Sequence, residues 1–236
     1  MIKVAVIYGN MHEGSTWNCV RLLKEALSER EKTEFTEFYL PRDMQGFCNG
    51  CFSCFMNGEQ TCPHSEQVQP IVSALEQADV ILLSSPIYAL DVSGQMKTLL
   101  DHLCYMWVSH RPNPLMFSKV GVSVTTTAGA GLSHAAKTLN NTLTYWGVKR
   151  VFSLKGRVAA SKWAEVSEKN QAKLKRQTAR MADGILKAVH NEKMRPKLFL
   201  RIMFGMMRGA MKNNTWCIRD HDHWKNHGWL DGKNPF

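Results

Sequence analysis

The sequence predicts an α/β fold: an open, parallel five-stranded sheet with helices on both faces, followed by a helical C-terminal extension. Three observations predict it. Apolar runs of strand length alternate five times with segments of helical period. Two of those runs, Ile2 to Tyr8 and Val80-Ile81-Leu82-Leu83, are apolar nearly throughout, as strands covered on both sides must be. Three loops of unusual composition fall after the first, third and fourth strands, at the edge where such sheets bind ligands.

Taken in order, Ile2 to Tyr8 reads as the first strand and Thr16 to Arg30 as a helix with Val20, Leu23 and Leu27 on one face. Glu34 to Leu40 alternates weakly and gives strand two. A cysteine-bearing loop follows, then a helix from Ser65 to Gln77 with Val68, Ile71, Val72 and Leu75 on one side. Asp79 to Ser84 is strand three, Ser93 to Met106 a helix, Val120 to Thr126 strand four and Leu132 to Trp146 a helix. Lys149 to Leu154 is strand five. Trp163 to His190 reads as a long helix, with a break expected near Gly184. These elements define a ligand-binding domain over 1–190 and an extension over 191–236.

The 236 residues suffice for one large α/β domain with an appendage. The net charge of +10 is concentrated. Between Lys149 and Lys212 there are 17 Lys/Arg against 4 Asp/Glu, and the remainder sums to −3. No nucleic-acid motif accompanies this charge, so solvated helix faces or attraction of anionic ligands explain it better than nucleic acid. No apolar stretch is long enough to span a bilayer. The first strand begins at residue 2, so no signal peptide is expected. Seven cysteines, four of them clustered, point to a reducing cytoplasm rather than a disulfide scaffold.

The clustered cysteines are Cys48, Cys51, Cys54 and Cys62, in a Cys-x2-Cys-x2-Cys-x7-Cys pattern. The pattern is too compact for a zinc ribbon, whereas three thiolates at x2 spacing plus one further away suit an iron–sulfur cluster. Three readings stand: a single [4Fe-4S] cluster, a zinc or redox-thiol site, and buried unligated cysteines.

The loop after strand one, Gly9-Asn10-Met11-His12-Glu13-Gly14-Ser15-Thr16-Trp17, runs straight into a helix. Glycine allows close approach, the hydroxyls donate, and the helix N-terminus offers free N–H groups; together they suit a phosphate. A simple helix cap by Ser15 or Thr16 is the plainer reading. The loop has neither a Walker A ending nor a G-x-G-x-x-G fingerprint. After strand three, Ser85-Pro86-Ile87-Tyr88 would set backbone amides beside a planar ring. After strand four, Thr125-Thr126-Thr127-Ala128-Gly129 is small and polar enough for that ring to lie against the backbone. Three such loops on one edge suggest a mononucleotide-sized ligand.

Over roughly residues 1–160 the chain resembles the NADPH-dependent FMN reductase family, in its iron–sulfur flavoprotein branch. The resemblance is carried by Gly14-Ser15-Thr16, the four-cysteine pattern, Ala78-Asp79-Val80-Ile81 leading to Ser85-Pro86-Ile87-Tyr88, and Val92-Ser93-Gly94-Gln95-Met96-Lys97 leading to Leu100-Asp101. It implies a flavodoxin-like fold and FMN, with the phosphate near Asn10, His12, Ser15, Thr16 and Trp17. It implies the isoalloxazine ring near Pro86, Ile87, Tyr88 and the loop Thr126, Thr127, Ala128, Gly129. It also implies Cys48, Cys51, Cys54 and Cys62 as cluster ligands. Where the family commonly carries Ser-x-Arg, this chain has Asn10-Met11-His12, and protonated His12 would stand in for the missing cation.

The function these readings predict is a cytoplasmic FMN-dependent oxidoreductase passing electrons between NAD(P)H or an electron carrier, FMN and a [4Fe-4S] cluster. The alternatives are an NAD(P)H:FMN or quinone reductase without a cluster and a non-catalytic redox carrier or sensor. Hydride passes to the flavin directly, so no catalytic side chain is named. A small-molecule or protein electron donor or acceptor is the expected partner. A homodimer or homotetramer is expected; nucleic acid and membrane are not. The flavin ring is expected at the carboxyl rim of the sheet, close enough to a thiolate-held centre for electrons to pass between them.

Other features read as structural: Cys19 and Cys104 as core, His102 as a satisfied histidine, and the His223/His227 pair as part of an aromatic tail rather than a metal site. In the helix over Arg195 to Lys212, Lys197, Arg201, Arg208 and Lys212 form one basic stripe and apolar residues cover most of the rest. A second subunit, the chain's own domain and an anionic membrane surface are the candidate partners of that helix.

Overall fold

The computed structural model describes residues 1–158, 160 and 162–236. Its strands are β1 (Ile2–Tyr8), β2 (Thr33–Tyr39), β3 (Val80–Tyr88), β4 (Asp91–Val92), β5 (Val120–Thr127) and β6 (Arg150–Arg157). Its helices are α1 (Ser15–Ser28), α2 (Ser53–Met56), α3 (Ser65–Gln77), α4 (Gly94–His102), α5 (Leu132–Trp146), α6 (Glu168–Val189), α7 (Leu198–Lys212) and α8 (Ile218–Asn226).

Five parallel strands stand in the order β2-β1-β3-β5-β6, and β4 hangs antiparallel on the end of β3. This is the flavodoxin-like order, with its topological switch between β1 and β3. Alternation along each strand splits the core into two faces. Ala5, Ile7, Ile81 and Leu83 pack with residues of α3, α4 and α5, including Leu75, Leu99, Leu139 and Trp146. Val4, Val6, Leu82 and Val122 pack with residues of α1 and α6, including Leu23, Leu27 and Ile185.

Two details depart from the sequence reading. The long C-terminal helix is unbroken through Gly184, and its N-terminal part is a separate 3₁₀ turn at Trp163–Glu165. Gly184 serves packing instead: a Cβ there would lie 2.8 Å from the Phe152 ring. The helix read as Ser93 to Met106 ends at His102 and continues as a 3₁₀ turn, Cys104–Met106.

The extension builds a third cluster together with Val108 and Phe117 of the first part of the chain, which are buried with Phe204, Trp224 and Trp229. Phe204 stacks on Trp224 at 4.5 Å between centroids, worth roughly 1 kcal/mol beyond its buried area. None of the described helices is long and apolar enough to cross a membrane.

Candidate functional site

The rim is held by a buried serine network. Ser93 Oγ donates to the Gly9 carbonyl at 2.6 Å, while Ser85 Oγ accepts from the Ser93 backbone N–H at 2.8 Å. Ser93 Oγ also caps α4 by accepting from the Met96 amide. Gly9 donates to the Ser84 carbonyl at 2.7 Å, and a Cβ on Gly9 would meet Ser93 Oγ at 2.8 Å. The Ser-Pro-Ile-Tyr and Ser-Gly-Gln-Met segments therefore act together through space: their serines fasten the loop after β1 to the end of β3.

Above this network lies a cleft of about 210 Å³. Asn10, His12, Ser15, Thr16, Pro86, Ile87, Tyr88, Thr126, Thr127 and Ala128 line it, with Gly14, Val158 and Ala160. Trp17 and Gly129, also read as ligand-binding, do not line it. Trp17 sits in the first turn of α1, packed beside the core of that face. Gly129 is held in a turn, its amide donating to Thr127 Oγ1 at 3.1 Å. Val158 and Ala160 follow β6, whose end shows no ligand-binding motif in the sequence.

Thr16 Oγ1 and Thr126 Oγ1 are 2.6 Å apart and join the α1 N-terminus to the end of β5. Asn10 Nδ2 donates to the Tyr88 hydroxyl at 3.2 Å, closing one side of the cleft. The hairpin between β3 and β4 turns through Ala89 and Leu90, with φ of 48° and 70°. A two-residue turn demands this left-handed geometry, and non-glycine residues adopt it at a cost of about 1–2 kcal/mol each.

The cleft fits the phosphate of a flavin mononucleotide. Helix α1 starts without a side-chain cap and without an acidic residue in its first turn. Ser15 Oγ, which lines the cleft, is buried with no hydrogen-bond partner. Unpaired buried donors at a helix N-terminus are what an anion satisfies.

Cys48, Cys51, Cys54 and Cys62 line one separate cavity of about 120 Å³. Left-handed residues Gly50 (φ 68°) and Phe52 (φ 59°) bend the chain sharply enough to bring them round. The cavity wall also includes Phe52, Phe55 and Pro63, and all seven cysteines of the chain are free thiols. The Ser53 backbone N–H lowers the pKa of Cys51, whereas burial raises that of Cys54. Four thiols around one largely apolar cavity suit a thiolate-ligated metal centre.

Cys104, read as a core residue, also faces this cavity. The 3₁₀ turn after α4 swings it there, and burial pushes its thiol up to about 11. His64 and His102 complete the wall. His102 Nδ1 donates to the Thr98 carbonyl at 2.8 Å, which leaves Nε2 to accept from His64 Nδ1 at 3.0 Å. Burial lowers the His102 pKa. The ligand atoms of Cys62, His64 and His102 all lie within 4.8 Å of one another.

The cleft and the cysteine cavity share no lining residue. Helix α4 runs between them, from Ser93 at the rim network to Asp101 and His102 at the cysteines. Its nine residues span roughly 14 Å. Asp101 and His102, at the C-terminal end of α4, stand in the wall of the cysteine cavity.

The extension clamps the cysteine loop from outside. Arg111 Nη2 donates to the Cys54 carbonyl at 2.6 Å, and its Nη1 pairs with Asp220 of α8 at 2.6 Å. His110 Nδ1 lies 2.9 Å from the other Asp220 oxygen, and Cys217 Sγ donates to the Phe55 carbonyl at 3.2 Å. Residues 191–236 are therefore built onto the first part of the chain. The His223/His227 pair is structural: His223 Nε2 donates to the Pro112 carbonyl at 2.9 Å, and His227 stacks on Trp229.

A larger cavity of about 360 Å³ lies at the opposite end of the sheet. The ammonium groups of Lys119 and Lys149 beside it are engaged by the carbonyls of Glu76, Ala78, Val189 and Asn191.

Comparison with known proteins gives the family. An iron–sulfur flavoprotein of Archaeoglobus fulgidus is 31% identical over 134 residues, 56% of this chain and 58% of the relative. An iron–sulfur flavoprotein of Methanocaldococcus jannaschii is 38% identical over 102 residues, 42% of this chain and 51% of the relative. The chain thus spans a little over half the length of these curated relatives. Among solved structures, an NAD(P)H:quinone oxidoreductase from Methanothermobacter marburgensis superposes with a TM-score of 0.60 at 15% identity, covering 76% of this chain and 96% of that one. That likeness concerns the fold. Residues 2–165 match the family model described as NADPH-dependent FMN reductase, and the chain belongs to that family.

Proposed function

We propose that this protein is an FMN-dependent oxidoreductase that also carries a [4Fe-4S] cluster on Cys48, Cys51, Cys54 and Cys62. The single observation that carries the reading is the pair of separate cavities: a rim cleft with an unpaired buried hydroxyl at a helix N-terminus, and a second cavity walled by four free thiols. When bound, the flavin supplies hydride or one-electron chemistry and the cluster one-electron chemistry.

The chain's own residues bind and orient. The α1 N-terminus and Ser15 Oγ would hold the phosphate. The backbone of Pro86, Ile87 and Tyr88 and that of Thr126, Thr127 and Ala128 would face the ring from two sides. The serine network keeps these loops in register before any ligand arrives, which reduces the ordering cost of binding. Arg111 would fix the Cys54 ligand through its carbonyl, and neutral His102 would keep charge out of the cysteine cavity. NAD(P)H or a protein carrier would be the electron donor. A homodimer or homotetramer and a cytoplasmic location belong to the same proposal.

Anaerobic purification with absorbance, iron, sulfide and flavin analysis tests it, combined with NADH and NADPH oxidation assays. Flavin bands with a broad shoulder, and iron and acid-labile sulfide in proportion, are expected. Flavin without iron or sulfide removes the cluster from the proposal.

A second reading rests on the convergence of Cys62, His64 and His102. A mixed thiolate–imidazole set suits zinc, and the protein would then be an NAD(P)H-dependent flavin or quinone reductase with a structural metal. Zinc in place of iron in the anaerobic preparation would select it.

A further inference from the structure

Helix α7 divides its surface into three sectors. Leu200, Phe204 and Met211 are buried in the aromatic cluster of the extension and lie within about 40° of one another around the axis. Lys197, Arg201, Arg208 and Lys212 lie within about 60°, next to that buried sector. The remaining sector holds Leu198, Phe199, Ile202 and Met206, which are 67%, 58%, 56% and 71% exposed. Gly205 and Gly209 share this outer face, with nothing within 4 Å of where a Cβ would stand.

A surface helix ordinarily buries its large apolar side chains. Here the core contact is made by other residues, and four large apolar side chains remain in water along the outer face. The charge around them has one sign. Residues 193–219 carry seven Lys/Arg and no Asp/Glu. Among the described residues none of the seven forms an ion pair. The complement of this face is apolar in its middle and anionic at its edge.

A second copy of the chain fits poorly. Two α7 helices packed antiparallel about a two-fold axis would bring both basic stripes to the same side of the pair. A parallel pair would set Lys193, Arg195 and Lys197 against their own copies. Like charges brought together in either way repel. An anionic bilayer offers the complement directly: acyl chains for the apolar sector and lipid phosphates for the stripe beside it.

We propose that α7 docks this protein on anionic membrane surfaces, with Leu198, Phe199, Ile202 and Met206 entering the headgroup–acyl boundary and the exposed Lys197, Arg201 and Lys212 pairing with phosphates. The proposal stands apart from the cofactor reading and reverses the expectation that a membrane is not a partner. Flotation of the full-length protein, with its bound groups, on phosphatidylglycerol-containing and pure phosphatidylcholine vesicles tests it. Co-flotation with the anionic vesicles is expected, falling about tenfold on neutral vesicles and about tenfold again at high salt. The double variant Phe199→Glu/Ile202→Glu, altered at exposed positions, is expected to lose flotation with unchanged melting temperature and gel-filtration volume. A parent that does not float, or a variant that floats like the parent, overturns the proposal. So does a variant whose elution volume shifts, because the sector would then join copies of the chain.

Discussion

Arg111 and Asp220, 109 residues apart in sequence, form an ion pair 2.6 Å long in which the two side chains are 8% and 1% exposed. The other terminal nitrogen of Arg111 holds the Cys54 carbonyl, so one guanidinium ties α8 of the extension to the thiol loop. Asp220→Ala would leave that buried guanidinium only the longer, 3.5 Å contact to the half-exposed Glu59 carboxylate. The expected cost is about 3–5 kcal/mol, read as a lower urea midpoint. Lower iron content per chain is expected with it, since the Cys54 backbone loses its anchor.

The separation of the two cavities makes the cysteine loop and the flavin cleft independently removable. Cys51→Ala is expected to abolish iron and sulfide while the flavin content stays at the parent level. Loss of flavin together with iron would mean that the loop also shapes the cleft, against the separate walls seen here.

Two neighbouring hydroxyls of the cleft should behave oppositely. Ser15 Oγ has no partner within the chain, so Ser15→Ala should leave the melting temperature of the flavin-free protein within a degree or so of the parent. The same change should weaken FMN binding by about 1.5–3 kcal/mol, because the lost bond is to a charged group. Thr16 is bonded to Thr126 at 2.6 Å in a buried setting, and Thr16→Val leaves Thr126 unpaired. It should destabilise the flavin-free protein by about 1–3 kcal/mol in urea titrations.

Acid should loosen the extension first. Burial lowers the pKa of His223 from 6.5 to about 4, so the unfolded chain binds a proton that the folded chain refuses. Stability is therefore complete above pH 6.5 and falls as pH drops from 6.5 toward 4, by up to about 3 kcal/mol. Tryptophan fluorescence of Trp224 and Trp229 against pH, in parent and His223→Gln, reports it. The variant is expected to have the flatter profile.

The strand runs and helix periods were legible because each is a local statement: four consecutive apolar residues in β3, or Val68, Ile71, Val72 and Leu75 at helical spacing. The rim loops were legible for the same reason, as short stretches in which composition shifts at the end of a strand. Ten of the twelve residues read as flavin contacts do line the cleft. Trp17 and Gly129 stand beside it, since periodicity says which loop reaches a site and not which side chain turns inward. Gly184 misled as a helix break because its lack of a Cβ is used by Phe152, a residue of β6.

By itself the sequence determined the α/β architecture, the edge of the sheet where the cleft lies and the four thiols available to a metal, because each follows from neighbours along the chain. Tertiary structure alone decided that Cys104, His64 and His102 join those thiols, that α4 separates the two cavities, and that Asp220 reaches Arg111. Such contacts depend on how far each helix runs and how it turns over the sheet. That packing balance spans the whole molecule, and no local pattern of residues records it.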